Sequence, residues 1–177
     1  MLRLAGAALL VLGSVGAGFC VCRQMRGQTE QLFLLGSLFE ELAGEIGYSR
    51  ACLPELLQSS GRRLLETPSG ITLGEALLRV SGRMEEERGQ CLEEIWEEEM
   101  GRFLESGRLS PEKRRWLLRF PDLLGYPDGG RQQESVERLA QRFCRAGEEL
   151  RQRSERESRA ILAVSAACGL LTVVLLF

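Results

Sequence analysis

The chain contains no histidine. That absence removes Ser-His and Cys-His dyads, imidazole metal ligands and any imidazole proton shuttle. Aromatic residues are only 6% of the chain, too sparse for stacking platforms that hold bases or sugars. The basic residues, overwhelmingly arginine, number 23 against 25 acidic ones, for a formal charge of −2. No global basic field exists for nonspecific nucleic-acid binding. The cysteines, Cys20, Cys22, Cys52, Cys91, Cys144 and Cys168, are scattered, with neither zinc-site spacing nor the density of a disulfide framework. They read as small apolar filler, with palmitoylation of Cys20 or Cys22 as an alternative. These absences disfavour an enzyme, and no catalytic, cofactor-binding or metal-ligating set emerges. At 177 residues, the length suits one modest domain.

What is present falls into three parts. Residues 4–22 carry no charge, and neither do residues 160–177. As helices, runs of about 18–19 residues reach roughly 27–28 Å, close to the thickness of a bilayer's hydrocarbon core. The expected layout is a transmembrane helix at 4–22, a cytoplasmic helical bundle domain at 23–159 and a second transmembrane helix at 160–177. A cleaved signal peptide is the alternative for the first run, with Val15-Gly16-Ala17 as a weak cleavage site. Phe19 to Cys22 continue the apolar stretch past that site and favour a retained anchor. A buried core helix is the alternative for the second run, but its Leu171–Phe177 ending has no polar face to show water. Arg23, Arg26, Arg151, Arg153, Arg156 and Arg159 flank the runs on the inner side, against Arg3 outside, so the positive-inside rule places the middle region in the cytoplasm. Within the runs, Gly13-x-x-x-Ala17, Ser14-x-x-x-Gly18, Ala163-x-x-x-Ala167 and Ser165-x-x-x-Gly169 make small-residue rows suited to close helix packing. Whether the two spans pair with each other or with other chains is open.

The middle region reads as all-α. Leu32, Leu35, Phe39, Leu42 and Ile46 are spaced 3-4-3-4, as are Val136, Leu139, Phe143, Ala146 and Leu150. Between these seams, Leu53-Pro54-Glu55 starts a second helix, which Thr67-Pro68-Ser69-Gly70 ends. Thr72-x-x-Glu75 has the form of a capping box for a third helix. Leu92, Ile95, Trp96, Met100 and Leu104 define a fourth, and Ser110-Pro111-Glu112 opens a fifth running to Gly125. Gly125 is expected to close that helix in a left-handed conformation, and Asp128 to cap the last one. No segment alternates with period two. The fold expected is an antiparallel helical bundle flanked by N- and C-terminal transmembrane helices. Glu85-Glu86-Glu87 and Glu97-Glu98-Glu99 are consecutive, so their carboxylates fan around a helix as a solvated face without converging on one site. Trp96 and Trp116 read as core anchors.

Several short motifs, taken in order, resemble the stage III sporulation protein AB family of endospore-forming bacteria. They are Glu45-Ile46-Gly47-Tyr48, Leu53-Pro54-Glu55, Ile95-Trp96 and Leu124-Gly125-x-x-Asp128-x-x-x-Gln132-Gln133, with a Leu/Val-rich terminal run. The resemblance implies a helical domain similar to the cytoplasmic domain of the type II secretion platform protein. It implies a non-enzymatic membrane platform in the mother-cell membrane facing the forespore, within a secretion-like channel complex. The partners implied are a secretion ATPase-like protein (stage III sporulation protein AA), other membrane components of that complex, and membrane lipids. Glu45, Tyr48, Pro54, Gly125, Asp128, Gln132 and Gln133 become candidate contact or motif residues, and Gly13, Ala17, Gly18, Ser165 and Gly169 candidate membrane-packing residues. A membrane-anchored coiled-coil tether or regulator outside any transport complex is the competing reading, and self-association is left open.

Overall fold

The 3-4-3-4 spacing of Leu32, Leu35, Phe39 and Leu42 places all four on one side of helix α1, residues 26–47, where they are buried, while Glu30 and Glu40 stay exposed. The computed structural model describes residues 26–47, 52–87, 89–107, 109–125 and 128–176, without the side chains of 106, 158–163, 165, 166 and 168–176. Among these residues all regular structure is helical and no strand occurs. After α1 come α2 (Leu53–Leu65), α3 (Ile71–Glu86), α4 (Leu92–Ser106), α5 (Pro111–Leu118), α6 (Phe120–Leu124) and α7 (Gly129–Leu176). The chain divides into two compact units, Glu30–Ala146 and Met1–Thr29 with Gly147–Phe177.

In the first unit, α2 and α3 form an antiparallel hairpin. Pro54 occupies the first turn of α2, where its missing N–H leaves no intrahelical bond unmade. The buried Ser81 hydroxyl donates to the Pro54 carbonyl at 2.8 Å, tying the end of α3 to the start of α2. Gly61 and Gly74 face each other midway, and a Cβ on Gly74 would lie 2.7 Å from the Gly61 carbonyl oxygen. Only paired glycines let these backbones come so close. α2 is joined to α1 by the Ser60 hydroxyl, which donates to Glu41 at 3.2 Å, and by an Arg63–Glu41 ion pair.

Three local expectations need correction. The capping box does not form: α3 begins at Ile71 with Gly70 in the cap position and no side-chain cap bond, so Thr72 already lies inside the helix. The hydroxyl that closes this turn belongs to Thr67, which donates back to the Leu64 carbonyl at 2.9 Å. The fifth helix is broken at Arg119 into α5 and α6. Pro121 has no N–H for the Leu117 carbonyl four residues earlier, and the Trp96 indole N–H donates to that carbonyl instead, at 2.9 Å. Gly125 is not left-handed: with φ −73° and ψ −4°, its amide bonds to the Asp122 carbonyl at 3.4 Å, so the short helix ends without a positive φ.

Aromatic rings join these helices. Trp96 on α4 meets Phe120 on α6 (4.8 Å between centroids), and Phe120 meets Phe39 on α1 (5.0 Å). Phe39 stacks on Phe143 of α7 (5.7 Å, 15° between planes), which takes the edge of Trp116 on α5 (5.8 Å, 77°). Along α1 and α7, Gly36 lies against Cys144, Phe39 against Phe143 and Gly47 against Gln133, so the two helices run antiparallel.

In the second unit, Thr29 and Ser154 are buried, and Arg151 and Arg153 pair with Glu155 and Glu157 one turn on. Among the described residues no helix is long and apolar enough to cross a membrane. The run 4–22 lies outside those residues; of 160–177, the backbone to Leu176 and the side chains of Val164 and Ala167 lie within them.

Phe120→Ala removes ring contacts to both Trp96 and Phe39. We expect it to destabilise the full chain by about 3–5 kcal/mol, read by denaturant unfolding in detergent micelles with near-UV circular dichroism. A loss below about 1 kcal/mol would mean that the rings do not hold the bundle.

Candidate functional site

The last glutamate of 97–99 departs from the solvated-face expectation. Glu97 and Glu98 are exposed, but Glu99 retains only 1% of its accessible surface. It lies four residues after Ile95 and three after Trp96, on the buried face of α4, and that spacing was the signal in the sequence. Arg79 donates to one carboxylate oxygen at 2.9 Å, and Arg83 and Arg102 to the other at 3.2 and 3.0 Å. Burial alone would push the Glu99 carboxyl up; the Arg79 and Arg83 hydrogen bonds and the Arg102 charge outweigh it and hold the group below its ordinary range. Arg83 also bonds Glu87 and Glu98, and these carboxylates hold its guanidinium further toward the charged form. The cluster staples α3 to α4.

The corner from Leu124 to Gln133 brings four of the motif residues together. The Asp128 carboxylate accepts from the Gly130 amide at 3.2 Å at the start of α7. Gln132, half-buried, donates from Nε2 to the Leu124 carbonyl at 2.7 Å, closing α6 onto α7. Gln133, also half-buried, packs over Gly47, where any Cβ would run into its amide. The end of α1, with exposed Glu45, thus meets the start of α7. Pro54 lies elsewhere, under Ser81. Tyr48, Gly13, Ala17 and Gly18 lie outside the described residues, as do Cys20 and Cys22. Ser165 and Gly169 fall on the helical backbone of α7, with their side chains outside the description. Cys52, Cys91 and Cys144 are free thiols; burial, with the Glu40 charge nearby, pushes the Cys144 thiol up.

A third feature was not legible in the sequence. α5, α6 and the first turns of α7 enclose a cleft of about 600 Å³ lined by Glu112, Arg115, Trp116, Arg119, Leu123, Ser135, Arg138, Leu139 and Arg142. Four arginines and one glutamate line it, together with Trp116, Leu123 and Leu139. Arg119 lies 3.9 Å from Asp122 and Arg138 bonds Glu134, whereas Arg115 and Arg142 have no acidic partner among the described residues. The arginines come from separate helices that are adjacent only in the fold.

Fold and site together define a protein that is helical throughout its regular described structure and carries an arginine-lined cleft. The chain belongs to the stage III sporulation protein AB family, whose model matches residues 3–177. No curated protein and no solved structure matches it.

Folding depresses the Glu99 carboxyl, so its contribution is fully present above the ordinary carboxylate value of about 4.3 and is lost as pH falls through the lower folded-state value. Glu99→Gln should therefore be less stable than the native chain near neutrality, with a gap that closes as pH falls through that window. A gap unchanged by acid would show that the arginines do not favour the ionised form. At neutral pH, Glu99→Ala should cost about 3 kcal/mol and exposed Glu98→Ala under about 0.5 kcal/mol.

Proposed function

We infer that this chain is a non-enzymatic membrane platform component of a secretion-like channel complex needed for endospore formation, coupling a cytoplasmic ATPase to membrane parts. The observation that carries the reading is family membership across residues 3–177, a match that includes both charge-free runs. In this reading 4–22 and 160–177 span the mother-cell membrane facing the forespore, and the helical bundle between them lies in the cytoplasm. The inner arginines set that orientation. The small-residue rows at Gly13, Ala17, Gly18, Ser165 and Gly169 pack membrane helices together. The bundle resembles the type II secretion platform domain in role: it presents surfaces and leaves chemistry to an ATPase of the stage III sporulation protein AA type. A rigid, aromatic-pinned bundle supports this reading because a coupling element must move as one body.

The direct test is in-cell crosslinking of a functional, tagged full-length copy during sporulation. We expect the ATPase-like protein and membrane components of the complex to co-purify; recovery of neither from a copy that supports sporulation would leave only a tether or regulator. Topology is tested separately. Glu85→Cys, in a background without native cysteines, should be protected from a membrane-impermeant thiol reagent in intact cells. Labelling before permeabilisation would overturn the cytoplasmic assignment.

A further inference from the structure

The arginine cleft goes beyond the platform reading and stands on its own chemistry. Its charges are arranged in two rows. Arg115 and Arg119 are four residues apart on consecutive turns at α5, and Arg138 and Arg142 are four apart on α7. Residues at this spacing lie about 5–6 Å apart along a helix surface, so each row presents guanidinium groups at an interval that carboxylates spaced i,i+4 on another helix can match. Trp116, Leu123 and Leu139 are the apolar members of the same lining. Guanidinium groups pair with phosphate as readily as with carboxylate, so the choice between them rests on the spacing of the rows and on that apolar lining. Together these suit an elongated ligand that carries both carboxylates and an apolar side chain.

Charge accounting favours a ligand from outside the bundle. Elsewhere on the described surface Arg63, Arg79, Arg83, Arg102, Arg151 and Arg153 each have a glutamate partner; Arg26, Arg62, Arg131, Arg145 and Arg156 have none, but they line no common cleft, and what sets Arg115 and Arg142 apart is that they do. In the cleft, Arg119 and Arg138 have weak or exposed partners and Arg115 and Arg142 have none among the described residues. In a chain of net charge −2 this is a local excess of positive charge. Fork-shaped guanidinium groups pair with carboxylates in bidentate geometry, and Trp116, half-buried in the cleft lining, supplies apolar surface for an anchor.

We propose that the cleft between α5, α6 and α7 is a docking site for an acidic helical segment of a partner protein, with carboxylates at i,i+4 spacing and an aliphatic or aromatic anchor seated on Trp116. The cleft does not depend on the platform reading, so either can fail alone.

The test uses the full chain in detergent micelles, immobilised and offered a displayed library of random peptides. Peptides combining Asp or Glu at helical spacing with Leu, Phe or Trp should be enriched. Synthesised copies should shift the tryptophan emission and bind more weakly as salt rises. Arg115→Glu/Arg142→Glu should weaken binding at least about tenfold. Neither arginine has an internal acidic partner to lose, and thermal unfolding of the variant checks its fold. If the double reversal unfolds, Arg115→Gln/Arg142→Gln takes its place, with a smaller loss expected in the same direction. Enrichment without an acidic bias, no enrichment, or equal binding to the variants would overturn the proposal. ATP or phosphatidylglycerol vesicles competing as well as the peptides would also overturn it, leaving a general anion site.

Discussion

The bundle hangs on one chain of five rings, Trp96–Phe120–Phe39–Phe143–Trp116, in which each ring comes from a different helix. The sequence has seven Phe and two Trp, and three of those Phe with both Trp are spent on this contact line. Among the described residues only Phe33 and Phe103 are left outside it, too few for a second cluster of similar size. The Trp96–Leu117 hydrogen bond fixes one end of the line. Because Pro121 cannot bond back to Leu117, a buried carbonyl would be left without a partner, a cost of about 1–3 kcal/mol. The indole N–H removes that cost and at the same time holds α4 against the α5–α6 break. A side chain that reads as apolar filler therefore also repairs a backbone fault.

The α3–α4 contact solves a different problem. Apolar side chains such as Leu73, Ala76, Leu77 and Val80 on α3 are non-directional and could pack in more than one register at similar energy. A buried carboxylate that accepts from Arg79 and Arg83, one turn apart on α3, has its full set of bonds in a single register. The net stability of such a buried pair is small, since desolvation opposes the attraction. Its contribution is to disfavour packings that would take the arginines away from Glu99 and leave a buried carboxylate unpaired. The glycine pair Gly61–Gly74 sets the neighbouring hairpin by shape where Glu99 sets α3–α4 by charge.

Helix positions were legible in the sequence because apolar spacing and proline placement are local signals. Leu32 to Leu42, Pro54 and the α4 stripe all lie where their periodicity puts them. Errors arose where a distant partner took over a local group. Thr72 fits a capping box in isolation, but Thr67 closed the turn from the other side. Arg119 sits inside an apparently continuous apolar stripe, and the break there comes from Pro121, a weaker signal than the helical spacing of Trp116 to Leu124. Gln132 and Gln133 stand out in the sequence as candidate contact or motif residues, and only the fold shows that one bonds Leu124 and the other covers Gly47. Arg115 and Arg142 could not be associated from sequence at all, since only the antiparallel return of α7 brings their helices together.

The motif corner and the cleft use the same helices for opposite ends. At Leu124–Gln133, Gln132 bonds the Leu124 carbonyl, the exposed Asp128 carboxylate accepts from the Gly130 amide, and Gln133 packs against Gly47. Substituting Gln132 or Asp128 therefore acts on the geometry of the corner. Along the first turns of α7 the situation reverses, since Arg142 and, across from it, Arg115 keep their donors unspent on carboxylates. Because Gln132 ties the α6 terminus to α7, it also sets the spacing between the helices that line the cleft. A motif residue can therefore govern recognition without touching a ligand, by holding two arginine rows at the separation an incoming helix must fit.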